Sequence, residues 1–397
     1  MNLKNLKAAT LIVAGAACAV AGYLFHDHRN FKEAIVVSEG CTAVKRLSDY
    51  SSVIKPGSVN DCNVYIFDSG VPGGTILVQG GTHPEEPVGV IAAEIFTANA
   101  KVTKGRLIVL DRQNNSGSTC SRLGEAYPRF FHVKTDWGQM KWRMGDRYAS
   151  PLDSWPDPEV YVHYPSGQSL AYMDIRNLNR AWPGRENGLI AERTCFATLE
   201  MIKKEGVNVT MDLHEAELEY PVENTIVSHQ KGLDVAAMTS MVLTSQTYDV
   251  PIGMEFSPKA LHGLSHREIG DATDAVSYLT EVAEPMLDRI RGITDEELLM
   301  SGKDRFVMQA GRVHQGPEHP MGLLYSPIDE NGWPADKRIA RHVTTTMQLV
   351  QVNNMVHPEQ TVEITNIPSY QELLEKGAGH FFQNPADPAN AQRVHYD

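Results

Sequence analysis

The chain has 397 residues, 42% of them hydrophobic and 21% charged, which is ordinary globular composition and enough for a sizeable core in one large domain or two. Its formal net charge of −13 repels nucleic-acid phosphates, so nothing in the total supports nucleic-acid binding, whatever the charge inside a cleft.

The first segment, residues 1–30, stands apart. "MNLKNLK" carries two lysines, and the stretch from Ala8 to Phe25 is uninterrupted by charge. A basic start followed by an apolar run reads as a signal peptide or an N-terminal membrane anchor, and Ala19-Val20-Ala21 before Gly22 fits the small-x-small cleavage pattern. The run is at the short end of the roughly 17–25 residues that cross a bilayer, so a cleaved signal and a retained anchor both fit. The basic flank stays in the cytoplasm, which sends the rest outward to the periplasm or cell envelope. A buried N-terminal helix is the plainer alternative. Cys18 lies in the apolar run without the Leu or Val three positions earlier that a lipoprotein signal favours. Cys41, Cys62, Cys120 and Cys195 permit two disulfides in an exported chain, or four free thiols.

Downstream, "EAIVVSEG" and "NVYIFDSG" read as short strands with turn residues behind them. "GTILVQG" is a continuous apolar run bounded by glycines, as expected of a strand buried on both faces. "PVGVIAAEIFTANA" reads as a helix with Pro87 in its first turn, and "GRLIVLDR" as another buried strand. "AERTCFATLEMIKKEG" is a helix ending in basic residues and Gly206, and "VNVTMDLHEA" a strand ending in charge. "LDVAAMTSMVLTSQTY" is a helix, and "AVSYLTEVAEP" begins as a strand. This alternation predicts an α/β fold, a central mixed, mostly parallel sheet flanked by helices on both faces, with sites beyond the carboxyl ends of the strands. From Asn114 to Ala171 the pattern breaks down, and residues 115–170 are expected to form an ordered excursion bordering the site. Residues 31–300 read as the catalytic domain and 301–397 as a C-terminal extension. In that extension "HVTTTMQLVQV" fits either a strand or a helix, "SYQELLEKG" is a short helix, and His314, His319 and His342 are read as surface or structural.

Candidate chemistry collects at strand ends. His83 and Glu86 follow "TILVQ" at once, and imidazole nitrogen with carboxylate oxygen suits Zn²⁺, whose catalytic sites use about three protein ligands. One His-x-x-Glu is weak by itself, since a solvated turn would look the same and His214 with Glu217 repeats the spacing. His214, at the end of "VTMDLHEA", is where a third ligand belongs, with Asp212 on the same strand face as an outer partner fixing its tautomer. Glu215 and Glu217 are alternative ligands, less well placed. Asn179 and Arg180 in "NLNRAWPG" provide a donor fork for a substrate carboxylate, with a surface Arg and a turn Asn as the alternative. Glu281 in "YLTEVAEP" is placed to act as general base and then acid, with Glu284 and Glu255 as rivals and a structural salt bridge as the plainer reading. No glycine-rich loop precedes Lys-Ser or Lys-Thr, so a nucleotide phosphate loop is absent.

Taken together, "GGTHPEEPVG", "NLNRAWPG", "DLHEA" and "LTEV" resemble, in this order, the motifs of the zinc carboxypeptidase superfamily, in its succinylglutamate desuccinylase and aspartoacylase branch. The resemblance covers roughly residues 60 to 290. It implies one Zn²⁺ per chain held by His83, Glu86 and His214, Glu281 as general base and acid, and Asn179 and Arg180 as substrate-binding residues. Departures are the Pro after His83, and "VLDRQNNSG" where the branch commonly shows an Asn-Pro pair, which leaves Arg112 or Asn114 to contact substrate. The expected function is zinc-dependent hydrolysis of an amide in an N-acyl amino acid or other small carboxylate-bearing substrate. An envelope metallocarboxypeptidase acting on peptides or cell-wall stems is the alternative enzyme, and a non-catalytic metal-binding envelope protein the alternative outside enzymes. The expected partners are such a substrate and, through the N-terminal segment, a membrane.

Overall fold

The computed structural model describes residues 2–121, 127–218, 220–245, 252–285, 294–303 and 330–397. His314 and His319 lie outside the described residues.

The main sheet has eight strands, numbered here in chain order: β1 Ala43–Arg46, β2 Asn63–Asp68, β3 Thr75–Gln79, β4 Arg106–Leu110, β5 Val209–Glu217, β6 Thr225–Ser228, β7 Gly253–Phe256 and β8 Val276–Glu284. Their spatial order is β7-β6-β8-β5-β3-β4-β2-β1. The four central strands β8, β5, β3 and β4 run parallel, and antiparallel strands join on both sides. The sheet is therefore mixed and mostly parallel, as the alternating pattern predicts.

Strand alternation assigns side chains to two cores. Ile76 and Val78 of β3 face one core with Leu107, Val109 and Met211, while Leu77 faces the other with Ile66, Ile108 and Leu110. Helix α1, Leu3–Asn30, precedes the sheet; α2, Pro87–Asn99, covers the first core, and α3, Ile190–Glu205, covers the second with Ala191, Cys195, Leu199 and Ile202. Helix α4, Leu233–Ser245, joins the first face through Val235, Ala236 and Leu243.

The stretch that fits either element resolves as helix α5, Ala335–Val356. Its β-branched Thr run gives no strong local preference, and packing decides: Ile339, Val343, Leu349 and Val350 are buried in the core shared with α2. The last residues are thus built into the first core. Glu363–Thr365 pairs with Lys101–Lys104, and Val394–Tyr396 pairs with Ala34–Val36. His342 is buried in α5 and meets the Thr280 hydroxyl at 3.1 Å; burial pushes its pKa down to about 3, so it is a neutral structural group.

The excursion is ordered where it is described, with a hairpin of Phe130–Thr135 and Gly138–Arg143 and a short pair of Tyr161–Val162 with Ser169–Leu170. Helix α1 has 28 residues, and its most apolar 18-residue window has a mean hydropathy of 2.0 and nothing buried. This exposure rules out the buried-helix alternative. Packing is confined to its C-terminal end, from Leu24 on: the Leu24 carbonyl accepts from Arg129 at 2.9 Å, His28 Nε2 lies 2.8 Å from the Met144 carbonyl, and Arg29 pairs with Asp153 at 2.6 Å. The five cysteines are free, so the two permitted disulfides do not form. The Cys195 thiol instead donates to the Leu178 carbonyl at 3.5 Å, and Cys41 to the Ala43 carbonyl at 3.3 Å.

Candidate active site

Strand β3 ends at Gln79, and the chain turns through Gly81, whose φ of +70° favours glycine. His83 follows, and the Glu86 amide donates to the His83 carbonyl at 3.0 Å, setting both side chains on one tight turn before α2. Pro87 opens the helix, where its missing N–H costs nothing. Two residues on, a Cβ at Gly89 would come within 2.5 Å of the Leu213 carbonyl. This close approach lets α2 sit directly on β5 and brings Glu86 beside His214.

Two imidazoles converge on one carboxylate. His83 Nδ1 lies 2.6 Å from Glu86 Oε1, and His214 Nδ1 lies 2.9 Å from Glu86 Oε2. The two rings are edge-on with centroids 4.6 Å apart. The far nitrogens face acceptors: His83 Nε2 is 2.9 Å from Asn177 Oδ1, and His214 Nε2 is 3.1 Å from Asp212 Oδ2. The Asn177 oxygen calls for Nε2–H on His83 and Asp212 faces Nε2 of His214, so that both Nδ1 atoms turn inward toward Glu86. Asp212 is itself held by the hydroxyls of Thr82, 2.7 Å away, and Ser265, 2.6 Å away.

Electrostatics follow the same geometry. Burial pushes the Glu86 carboxyl up, but His83 and His214 outweigh it and hold Glu86 well below the usual carboxylate range. Burial likewise opposes charge on His214, yet Asp212 and Glu86 raise its pKa well above the ordinary imidazole value. The site thus holds a buried carboxylate between two imidazoles whose Nδ1 atoms face its two oxygens. The inward donor atoms of His83, Glu86 and His214 all lie within 4.8 Å of one another. Two imidazole nitrogens and a carboxylate oxygen, each backed by an outer partner, fit a divalent cation of the zinc type. A second group, His163, His262 and Glu268, is also compact, but both nitrogens of His163 are occupied by Ser166 Oγ and the Trp182 carbonyl.

The cluster forms part of the lining of a cavity of about 450 Å³ at the carboxyl end of the parallel strands, a usual size for a small-ligand site. Glu281 is the register partner of His214 in β8, and therefore shares its face of the sheet. Its Oε2 is closed off from solvent and, among the described residues, has no hydrogen-bond partner. Burial pushes its carboxyl up to about 8, with His214 opposing and Glu86 adding to the rise. Of its rivals, Glu255 lines the cavity but is exposed, and Glu284 is buried outside the lining. Glu215 takes the Val88 amide at 3.0 Å and pairs with Arg338, so it is committed to holding α2 and α5.

Asn179 and Arg180 line the same cavity. Asn179 Oδ1 accepts from the Ser265 amide at 2.8 Å, and the Arg180 guanidinium donates to the Asn179 carbonyl at 2.7 Å. Among the described residues Arg180 has no carboxylate partner within ion-pair distance. Arg112 is placed differently from the sequence expectation. It is fully buried away from the cavity lining, where it pairs with Glu33 at 3.0 Å and with Asp397. Those carboxylates outbid a substrate, so Arg112 leaves the substrate-binding set; Asn114 is buried too, its amide turned to the Thr82 carbonyl.

Arg147, Asn177 and His266 escape the sequence reading. Arg147 enters from the excursion, pairing with Glu85 at 2.7 Å and Glu86 at 3.2 Å. His266 lines the cavity, with burial lowering its pKa to about 3. The one signal for Arg147 is its position in the excursion expected to border the site.

No protein-family model matches the chain, and a search of curated proteins finds no match. Among solved structures the chain is similar to the ectoine utilization protein EutE from Ruegeria pomeroyi, at 17% identity over 55% of this chain and 52% of that one, with a TM-score of 0.33. It is similar to a succinylglutamate desuccinylase from Silicibacter sp. TM1040, at 13% identity over 78% and 64% of the two chains, with a TM-score of 0.38. It is also similar to the cell shape determinant protein Csd4 from Helicobacter pylori, at 9% identity over 78% and 58%, with a TM-score of 0.42. Each match spans less than two thirds of the other chain.

Proposed function

We propose that the chain is a zinc-dependent hydrolase of the cell envelope that cleaves an amide bond in an N-acyl amino acid or another small substrate with a free carboxylate. The observation that carries this reading is the convergence of His83 Nδ1, Glu86 and His214 Nδ1 on one point of a cavity that also holds an unpartnered Glu281 oxygen.

His83, Glu86 and His214 would hold the ion, which when bound supplies Lewis-acid polarisation and an activated water. Asn177 and Asp212 flank the outer nitrogens of the two imidazoles, which turns Nδ1 of each toward Glu86. Glu281 Oε2 carries the proton: in its enclosed position it accepts one as the amide is attacked and returns it to the departing nitrogen. The Glu281 carboxyl, pushed up to about 8 by burial, would become a working base when a cation beside it favours the ionised form. Arg180 takes the substrate carboxylate, with Asn179 fixing the loop that presents it. Helix α1 keeps the domain outside the cytoplasm, on the side away from Lys4 and Lys7.

The test is elemental analysis of the purified full chain with assays on N-acyl amino acids and on peptides with free C-termini. One zinc per chain is expected in the wild type, little in His83→Ala and His214→Ala, and turnover of the N-acyl amino acids. Zinc persisting in both variants would contradict the site. Turnover of peptides alone would replace the deacylase reading with a carboxypeptidase, and metal without any turnover would leave a binding protein.

A further inference from the structure

Six large apolar side chains, Leu152, Trp155, Val160, Val162 and Tyr164 of the excursion and Tyr172 just after it, are more than half exposed, with Leu152 at 80% and Trp155 at 76%. Scattered surface apolar residues are normal, but a run of them within about twenty positions marks a contact surface. The same segment grips the end of α1. Asp153, between Leu152 and Trp155, pairs with Arg29, and the hairpin adds Arg129 to Asp27 at 3.4 Å. Phe31 packs edge-on against Phe130 at 5.3 Å between centroids. Phe25 and Leu152 line one cavity of about 810 Å³ with Tyr148, Pro151 and Met173.

The depth of this cavity follows from α1. Phe25 is the last residue of the uncharged run from Ala8, which at 1.5 Å per residue is about 27 Å long, close to the ~30 Å hydrocarbon thickness of a bilayer. Phe25 therefore lies where hydrocarbon gives way to headgroups, the level that Trp and Tyr favour. We propose that the face formed by residues 152–172 is a second membrane contact, seated in the headgroup layer of the bilayer that α1 crosses. Lipid is the occupant because the face begins at Leu152, which shares a cavity with Phe25 of a helix that lipid must surround, and Asp153 beside it is pinned to Arg29 of that helix. The proposal rests on α1 being retained as an anchor and is independent of the hydrolytic chemistry. It also sets the active site near the membrane: Tyr148 and Arg176 line the cavity beside α1, while their neighbours Arg147 and Asn177 reach the active-site cluster.

The full chain, reconstituted in phosphatidylcholine vesicles with and without a nitroxide label near the headgroup, provides the test. Trp142, Trp182 and Trp333 are buried and Trp137 half-buried, so quenching by the label reports mainly on Trp155. The labelled vesicles should quench the wild-type emission, and Trp155→Phe should lose most of that quenching. Equal quenching in both proteins overturns the proposal. Shielding of Trp155 from aqueous iodide without quenching from the lipid means that protein covers the face, and overturns it too. A chain that does not float with the vesicles removes the anchor and this contact together, while leaving hydrolysis in solution to be judged separately.

Discussion

Two clusters of buried charge lie on either side of the turn after β3 and β4, and they do different things. Around Arg112, the acids Glu33, Glu94, Asp111 and Asp397 surround two guanidinium groups, with Arg143 pairing with Glu33 at 2.7 Å and with Asp397 at 2.9 Å. None of these residues lines the active-site cavity, and the burial of Asp111 and Glu94 pushes both carboxyls up, so that protons make up the deficit of cations. Around Glu86, by contrast, the acids are held ionised by imidazoles, a cavity adjoins, and Glu281 faces it with an oxygen unpartnered. Buried charge alone therefore does not identify a reactive site. What distinguishes the second cluster is three metal-ligating donor atoms within 4.8 Å of one another beside a cavity, and a titratable group with no structural duty.

The largest expected effect separates the clusters by chemistry. Glu281→Gln should lower turnover by about 10²–10⁴-fold, the usual worth of a general acid–base group, with zinc content unchanged. Rate measurement beside elemental analysis checks this, and unchanged turnover would remove Glu281 from its role. Next, Arg112→Met should cost about 3–5 kcal/mol of stability by stranding Glu33 and Asp397, without changing zinc bound per folded chain. Denaturant unfolding reads the first quantity; a loss of zinc from the folded fraction would mean the two clusters are not separate. The smallest effect is a pH slope. The Asp111 carboxyl is raised by burial, and next by Asp397, to about 7, so its proton is kept in the fold at pH values where the unfolded chain has lost it. Its contribution to stability is thus full below the ordinary carboxylate range and is lost as pH rises toward 7. Asp111→Asn should flatten that loss in urea midpoints taken between pH 4 and 8, leaving the parts due to the other raised carboxyls, Glu94 and Glu281 among them; parallel profiles would show that Asp111 does not titrate there.

Much of this molecule could be read from local pattern. Helix α2 begins at Pro87 and α3 ends before Gly206 because capping and φ preferences act within one turn. His83 and Glu86 could be placed just past a strand because an apolar run stops where the polar residues begin, whereas His214 and Glu281 stand inside strands that run on to Glu217 and Glu284. That the sheet is mixed and mostly parallel followed from strands alternating with helices. All of these are short-range signals, written within a few residues of one another.

What local pattern could not decide was pairing between distant segments. Arg112 and Arg147 look alike in sequence, yet one is sealed among Glu33 and Asp397 and the other reaches Glu86. The choice depends on carboxylates brought from as far away as residue 397, and no spacing rule encodes that. The same holds for α5, whose threonines lean toward neither helix nor strand until α2 offers an apolar face, and for Asn177, whose worth comes only from meeting His83. Periodicity and capping are properties of neighbouring residues. Ion-pair choice, core membership and the position of the excursion against α1 are decided by the packed chain, because their energy exists only once remote groups share one desolvated space.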